Sequence, residues 1–306
     1  MVTSLSEKVD PAKAHILVTG IQHSSTTWVG KTLTASSKIG YVYEPFNVGT
    51  KLKSPFRRWY EYVYSGHPDE EAIIRYINSF LSFSPLRLGS TVVQHLQHPV
   101  EVFRLLRTQG NLLMGRRQLL KDPIASLSVE WLTQTFGLIP VVLVRHPVAF
   151  CASFQKRGHH FPFQDFLSQE RLMEDFLSPY EAEINQAIKE DWSSFDEAKL
   201  LWKCIYTVLQ QQKIAHPEWI YLSNENLSLD ARSEYQDLLS KLNIPFDEAV
   251  EKEVKASSEA SSESWRVRDS KANAFKWKKK FSQEEIDNIR DYMGEIGAYF
   301  YDDDFW

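Results

Sequence analysis

The chain is poor in cysteine, has no excess of positive charge and contains no long apolar run. Cys151 and Cys204 are its only cysteines, too few for the disulfide framework of a small secreted domain. Both lie in apolar, helix-like surroundings and read as buried thiols of a reducing compartment. Lysines and arginines number 35 against 40 carboxylates, a net charge of −5, which argues against a general nucleic-acid binder. No stretch approaches the length of a membrane-spanning helix, so no integral membrane segment is expected. The opening "MVTSLSEKVDPAKA" lacks the apolar centre of a signal peptide, which leaves residues 1–13 as a flexible N-terminus and the cytoplasm as the expected location. Neither "KDP" nor the scattered histidines show zinc-ligand spacing, and no metal is expected.

What is present is the material of a large core. Apolar residues make up 43% of 306 positions and charged residues 25%, an ordinary globular balance. Short apolar runs recur between turns: "HILVTG", "GYVYEP", "RQLLKDP", "IPVVLVRHP" and "EWIYLSNENL". Each reads as a buried strand. Helical patterns fall between them, at 69–82, 124–136 and 231–242. A capping box at Ser194 to Glu197 opens a helix with Ala198, Leu201, Trp202, Ile205, Val208 and Leu209 on one face. Another at Ser282 to Glu285 opens a helix with Ile286, Ile289, Met293 and Ile296 inward. Alternating strands and helices predict a three-layer α/β fold, with a mostly parallel central sheet and helices on both faces. "VKASSEASSES" at 254–264 is low in apolar content and reads, within 252–266, as a mobile surface loop. Too little chain follows it to make a second domain, so 1–306 is expected to be one.

The stretch "HILVTGIQHSSTTWVGKTL" has the grammar of a phosphate-binding loop. An ATP-type loop needs G-x-x-x-x-G-K-[ST] between strand and helix. Gly20 is well placed, but Ser25 and Thr26 stand where glycine and lysine belong. Gly30-Lys31-Thr32 lies too far past the strand and should fall inside the helix. A P-loop, kinase-like nucleotide enzyme stays an alternative, though this loop lacks the lysine and magnesium ligands it requires. Strand, glycine and "QHSSTTW" still place backbone N–H groups and four hydroxyls at a helix N-terminus, which suits a phosphate. The bland alternative is a hydroxyl-rich helix cap with no ligand.

"VVLVRHPVAFCASFQKRG" repeats that grammar: strand, Arg145, His-Pro, then a helix carrying Ser153. Arg145 leaves the strand end and Ser153 follows about two helical turns along. A guanidinium can present two parallel donors to a phosphate. Alternatively, Arg145 caps a neighbouring helix and Ser153 is a small packing residue.

"IQHSSTTW" followed by "RHPVAFCAS" resembles the sulfotransferases that use 3′-phosphoadenosine-5′-phosphosulfate (PAPS). The resemblance extends through Glu225-Asn226-Leu227 and Trp277-Lys278. It implies a nucleotide-kinase-like arrangement in which Gln22, His23, Ser24, Ser25, Thr26, Thr27 and Trp28 hold the 5′-phosphosulfate. Arg145 and Ser153 would hold the 3′-phosphate, with product adenosine 3′,5′-bisphosphate (PAP) and no metal. The family usually has Lys or Arg where this chain has His23, and Gly where it has Ser25. His23 can serve either protonated or as a neutral N–H donor. These departures keep a non-catalytic PAPS or PAP binder open as an alternative.

Transfer to an acceptor hydroxyl needs a base near the sulfur. Glu44, at the end of "GYVYEPF", is the candidate, and a salt-bridged strand-end Glu is its bland reading. By resemblance Lys121 would stabilise the leaving phosphate. Asp122 is the runner-up base, expected to point the other way. His95, His98, His159 and His160 remain in reserve. The basic run "WRVRDSKANAFKWKKK" reads as a solvated face or, as the resemblance implies, as a flap in which Arg268, Lys271 and Trp277 would close on the 3′-phosphate. "NVGTKLKSPFRRWYEYVYSG" and "SFQKRGHHFPFQDFLSQ" are aromatic and basic, and suit either an acceptor pocket for a small molecule or glycan or simple packing loops.

Overall fold

The structure, a computed structural model, describes residues 12–50, 53–85, 89, 93, 96–258 and 274–306. Five strands form one sheet: β1 (Ile16–Gly20), β2 (Ile39–Tyr43), β3 (Arg117–Lys121), β4 (Ile139–Val144) and β5 (Ile220–Ser223), in the order β2-β3-β1-β4-β5. Every pairing is parallel. All five expected strands are therefore present. β1, at the centre, is buried throughout, because a parallel sheet is covered on both faces.

Side chains of successive strand residues point to opposite faces, and the core divides accordingly. Ile16, Val18, Leu119, Val141 and Leu143 pack with one layer, formed by α1 (Thr26–Leu33), α9 (Ala231–Lys241) and α10 (Glu248–Ser258). Leu17, Val42, Leu120, Val142 and Val144 pack with the other. That layer includes α5 (Pro147–Lys156), α7 (Ser194–Ala215) and α11 (Gln283–Phe300). Between the strands lie α2 (Glu70–Leu81), α3 (Pro99–Leu113), α4 (Val129–Phe136) and α6 (Glu181–Lys189), and α8 (Asn224–Leu229) follows β5. Cys151 and Cys204 are buried free thiols.

The apolar stripe of α7 is buried at all six expected positions. Its cap lies one residue earlier than the sequence implies: Ser193 accepts the Asp196 N–H, while the Ser194 hydroxyl donates to His159 O at 2.6 Å. Ser282 and Glu285 form the expected capping box, and Ile286, Ile289 and Met293 point inward. The 124–136 helix divides into a 3-10 turn, Pro123–Ser128, and α4. The expected loop at 252–266 needs correction. Residues up to Ser258 continue α10, because Val250 and Val254, four positions apart, share its buried side. The rest of that segment lies outside the described residues.

Parallel strands bring their C-terminal ends to one edge. Gly20, Tyr43, Lys121, Val144 and Ser223 end there, and every candidate residue that follows a strand is carried to the same rim.

Candidate functional site

The loop after β1 turns tightly. Gly20 has φ 145°, and a Cβ there would sit 2.3 Å from Leu143 O, so only glycine fits. His23 and Ser25 take φ 65° and 70°, a left-handed conformation that costs a non-glycine residue about 1 kcal/mol or more. Ser25, where the family carries glycine, is thus at a position whose backbone glycine would suit. It is the N-cap residue of α1, and its hydroxyl accepts from Asn224 Nδ2 at 2.5 Å.

The four hydroxyls differ in placement. Ser24 is buried and donates back to Ile21 O at 2.5 Å. Thr26 is buried, and Thr27 is exposed in the first turn of α1. The N–H of Gln22 donates to Tyr60 Oη at 3.1 Å. Trp28 turns away from the loop: its indole donates to Ser257 Oγ on α10 at 2.8 Å and meets Tyr235 edge-on. Gly30, Lys31 and Thr32 lie inside α1. Gly30 lets the helix approach β3, since a Cβ would meet Tyr41 Cε2 at 3.0 Å and Lys121 Cγ at 3.2 Å.

Arg145 reaches this loop from the end of β4. Its guanidinium donates to His23 O, and its backbone is held by Tyr206 and Trp202, whose Oη and Nε1 donate to Arg145 O at 3.0 Å. The His23 ring stacks on His159 at 5.3 Å. Burial, then the charges of Arg157 and Arg145, hold its imidazole down at about 3. A ring so depressed is neutral in this structure at ordinary pH. Its Nε2 is buried without a hydrogen-bond partner among the described residues. Ser153 is half-buried on α5.

Glu44 and Lys121 meet directly. Lys121 Nζ donates to Glu44 Oε1, Asn47 Nδ2 donates to Oε2 at 2.8 Å, and Glu44 N donates to Lys121 O at 2.9 Å. The bland reading of Glu44, a salt-bridged strand end, is thus what its side chain displays. Its partner is the residue assigned to the leaving group. Lys121 and Arg104 both lie over the Tyr43 ring, at 4.4 Å and 4.7 Å. Asp122 points elsewhere: its carboxylate accepts from Phe46 N at 2.6 Å and Ile124 N at 3.2 Å. Burial raises it to about 7. These bonds tie the chain after β2 to the chain after β3, a positioning role.

Trp277 is buried, stacked on His146 at 4.5 Å. Arg266, Arg268 and Lys271 lie outside the described residues, as does His95. Within the remainder of the basic run, Lys278 donates to Trp306 O at 2.9 Å and Lys280 to Gln155 Oε1 at 3.1 Å. His98 is the N-cap residue of α3, and His160 lies 3.1 Å from Glu197 Oε2. Described residues of the two aromatic stretches pack against each other. Trp59 N donates to Asp165 Oδ2 at 2.8 Å, Tyr62 N donates to Gln169 Oε1 at 2.7 Å, and Tyr60 meets Phe161 edge-on.

Asn224 and Tyr60 are the contacts that sequence reasoning missed; His159, held there in reserve, is brought onto the His23 ring. Asn224 was accessible in principle, since it directly follows β5 at the rim where the strand ends gather. Tyr60 and His159 come from loops with no periodic signal. Among the described residues, no cluster of three His, Cys, Asp or Glu could hold a metal. No described helix is long and apolar enough to cross a membrane.

No family model matches the sequence, and no curated protein sequence matches it. Solved structures do. A sulfotransferase domain from the curacin biosynthetic pathway is similar at TM-score 0.51 and 13% identity, over 94% of this chain and 97% of that one. A sulfotransferase domain from the Synechococcus olefin synthase is similar at TM-score 0.48 and 14% identity, over 97% and 98%. Sulfotransferase STF9 from Mycobacterium avium is similar at TM-score 0.46 and 10% identity, over 96% and 78%. The chain has a sulfotransferase-type, three-layer α/β fold.

Proposed function

We propose that this protein is a PAPS-dependent sulfotransferase, moving a sulfuryl group to a hydroxyl of a small molecule, glycan or glycolipid. The observation that carries the reading is the bond from the Arg145 guanidinium to His23 O. It joins the end of β4 to the loop after β1, so two elements suited to phosphate form one cradle. The residues fit a bisphosphorylated nucleotide. Loop amides and the α1 N-terminus offer donors, Gly20 leaves no side chain in the turn, and the buried Nε2 of His23 has an unused bond. Arg145 supplies fixed positive charge that the neutral His23 does not.

Bound PAPS would supply the sulfuryl group and a phosphate leaving group. This chain's own part is alignment and charge. Glu44 would receive the proton of the acceptor hydroxyl as its oxygen bonds to sulfur. Lys121, held against Glu44 and 2% exposed, would neutralise the phosphate oxygen that takes the electron pair of the broken S–O bond. Tyr60 and Asn224 would position the loop through Gln22 and Ser25.

Calorimetry of the purified protein with PAP, without magnesium, tests the cradle. Binding is expected, and no binding by the intact protein overturns the reading. Labelled donor with a panel of alcohols, glycans and glycolipids tests transfer. The Glu44–Lys121 ion pair, with its base already engaged, favours a second reading, a PAP-binding protein without turnover. Tight PAP binding with no transfer to any acceptor would select it.

A further inference from the structure

From Glu71 to Asp122 the sequence contains a single carboxylate between those two, Glu101, and six arginines. That is a marked departure in a chain of net charge −5. The same stretch contains most of the large apolar side chains exposed among the described residues: Phe83, Val93, Leu96, Val100, Phe103, Leu106, Leu113 and Met114. The others lie scattered, at Ile214, Leu229 and Tyr299, apart from Tyr43, which sits under Arg104.

Helix α3 organises this composition. Leu105, Thr108, Gln109 and Asn111 are its buried residues. At about 3.6 residues per turn, Phe103 and Leu106 fall on the opposite side, with Val100 and Leu113 at its margins. Val100 is 61% and Phe103 66% exposed, so they stand out from the surface and line no pocket. Arg107 lies within this apolar arc, and its side chain has no hydrogen-bond or ion-pair partner among the described residues. Arg104, at the margin, is paired with Glu101 at 3.1 Å.

We propose that the outer face of α3 docks on an anionic lipid bilayer. An interfacial helix places apolar side chains at the acyl boundary and arginines among the phosphates. Charge favours this occupant over a second copy of the chain, because a symmetric contact would set Arg107 against its own equivalent. Single exposed apolar residues need no partner, but a helical face of them around Arg107, which has none among the described residues, does. The face also adjoins the candidate site, since Arg104 covers Tyr43 and Tyr43 precedes Glu44. Docking there would bring the rim of the sheet to the membrane, and a lipid head-group hydroxyl would be the acceptor. That last step rests on the transferase reading; the docking does not.

The test is co-sedimentation of the full chain with vesicles of phosphatidylcholine, alone or mixed with phosphatidylglycerol. The protein is expected to sediment with the mixed vesicles and to be released by salt. Phe103→Ser combined with Leu106→Ser should lower the partition by roughly tenfold or more, and Arg107→Gln by about fivefold. Thermal melts and PAP calorimetry report whether the variants remain folded, since none of these residues is placed in the nucleotide cradle. The proposal is overturned by absence of binding to mixed vesicles at low salt. It is equally overturned by undiminished binding of folded variants, or by a stable dimer that Phe103→Ser dissociates while vesicles bind neither form. Failure of PAP to bind would count against the transferase reading alone.

Discussion

Lys121 and Glu44 are 77 residues apart in sequence, yet the ammonium of one lies on the carboxylate of the other. The register of the sheet arranges this contact. Tyr43 pairs with Lys121 across β2 and β3, so the residue after Tyr43 emerges beside the lysine. A charge at the end of each strand then meets its opposite with little water between them, where Coulomb attraction is strong.

Glu44→Gln removes the proposed base and should lower kcat by at least about 100-fold. PAP affinity should stay near that of the parent, because Glu44 does not belong to the nucleotide cradle. Unchanged kcat would show that another group takes the proton. The same variant leaves a buried ammonium without its carboxylate, and a destabilisation of about 3 kcal/mol is expected in urea titrations.

Arg145→Ala should weaken PAP binding by roughly 10- to 100-fold in magnesium-free calorimetry. Arg145→Lys should recover only part of the loss. A single ammonium cannot both hold His23 O and present a planar pair of donors to a phosphate. Parent-like affinity in the alanine variant would remove Arg145 from the cradle.

His146 is buried between Trp277, Tyr301 and Trp306, and burial, helped by the charges of Lys278 and Arg145, depresses its imidazole to about 3. A depressed folded value means the stabilisation is complete above the unfolded value near 6.5 and is lost as pH falls towards 3. Between pH 7.5 and 5, His146 should therefore cost the parent about 2 kcal/mol of stability. His146→Phe keeps an aromatic ring against Trp277 and cannot titrate. Its stability loss over that interval should be smaller than the parent's by that amount. Asp122, raised to about 7, contributes in the opposite sense in both proteins and cancels in the difference. Identical pH profiles would refute a buried neutral imidazole.

The bond from Trp28 to Ser257 ties α1 to α10. Ser257→Ala should cost about 1 kcal/mol, the usual net value of one hydrogen bond. Amide exchange in residues 252–258 should be slowed as in a folded helix. Exchange there at the rate of unstructured chain would restore the loop expected from composition.

The sheet was legible because its strands are nearly continuous apolar runs bounded by turns, and a run buried on both faces can do little else. α7 and α11 were legible because their stripes repeat at the helical period. The end of α10 was not. Its Ser, Ala and Glu have loop-like composition, and only the docking of Val250 and Val254 on α9 and its neighbours makes a helix of them. Ser193 took the cap from Ser194 because the Ser194 hydroxyl found a carbonyl in a distant loop.

The candidate site divides in the same way. By itself, the sequence determined which chemical groups end or follow which strands: hydroxyls and His23 after β1, Glu44 after β2, Lys121 at the end of β3, Arg145 after β4. Parallel strands deliver whatever follows them to one rim. Only the tertiary structure decided which groups touch. Strand order placed Arg145 on His23 O and Lys121 on Glu44, and left Asp122 facing backbone amides. It also buried the His23 ring close to Arg157 and Arg145, which holds its imidazole low. Contact and charge state depend on neighbours distant in the chain, and burial of those neighbours is a property of the folded molecule alone.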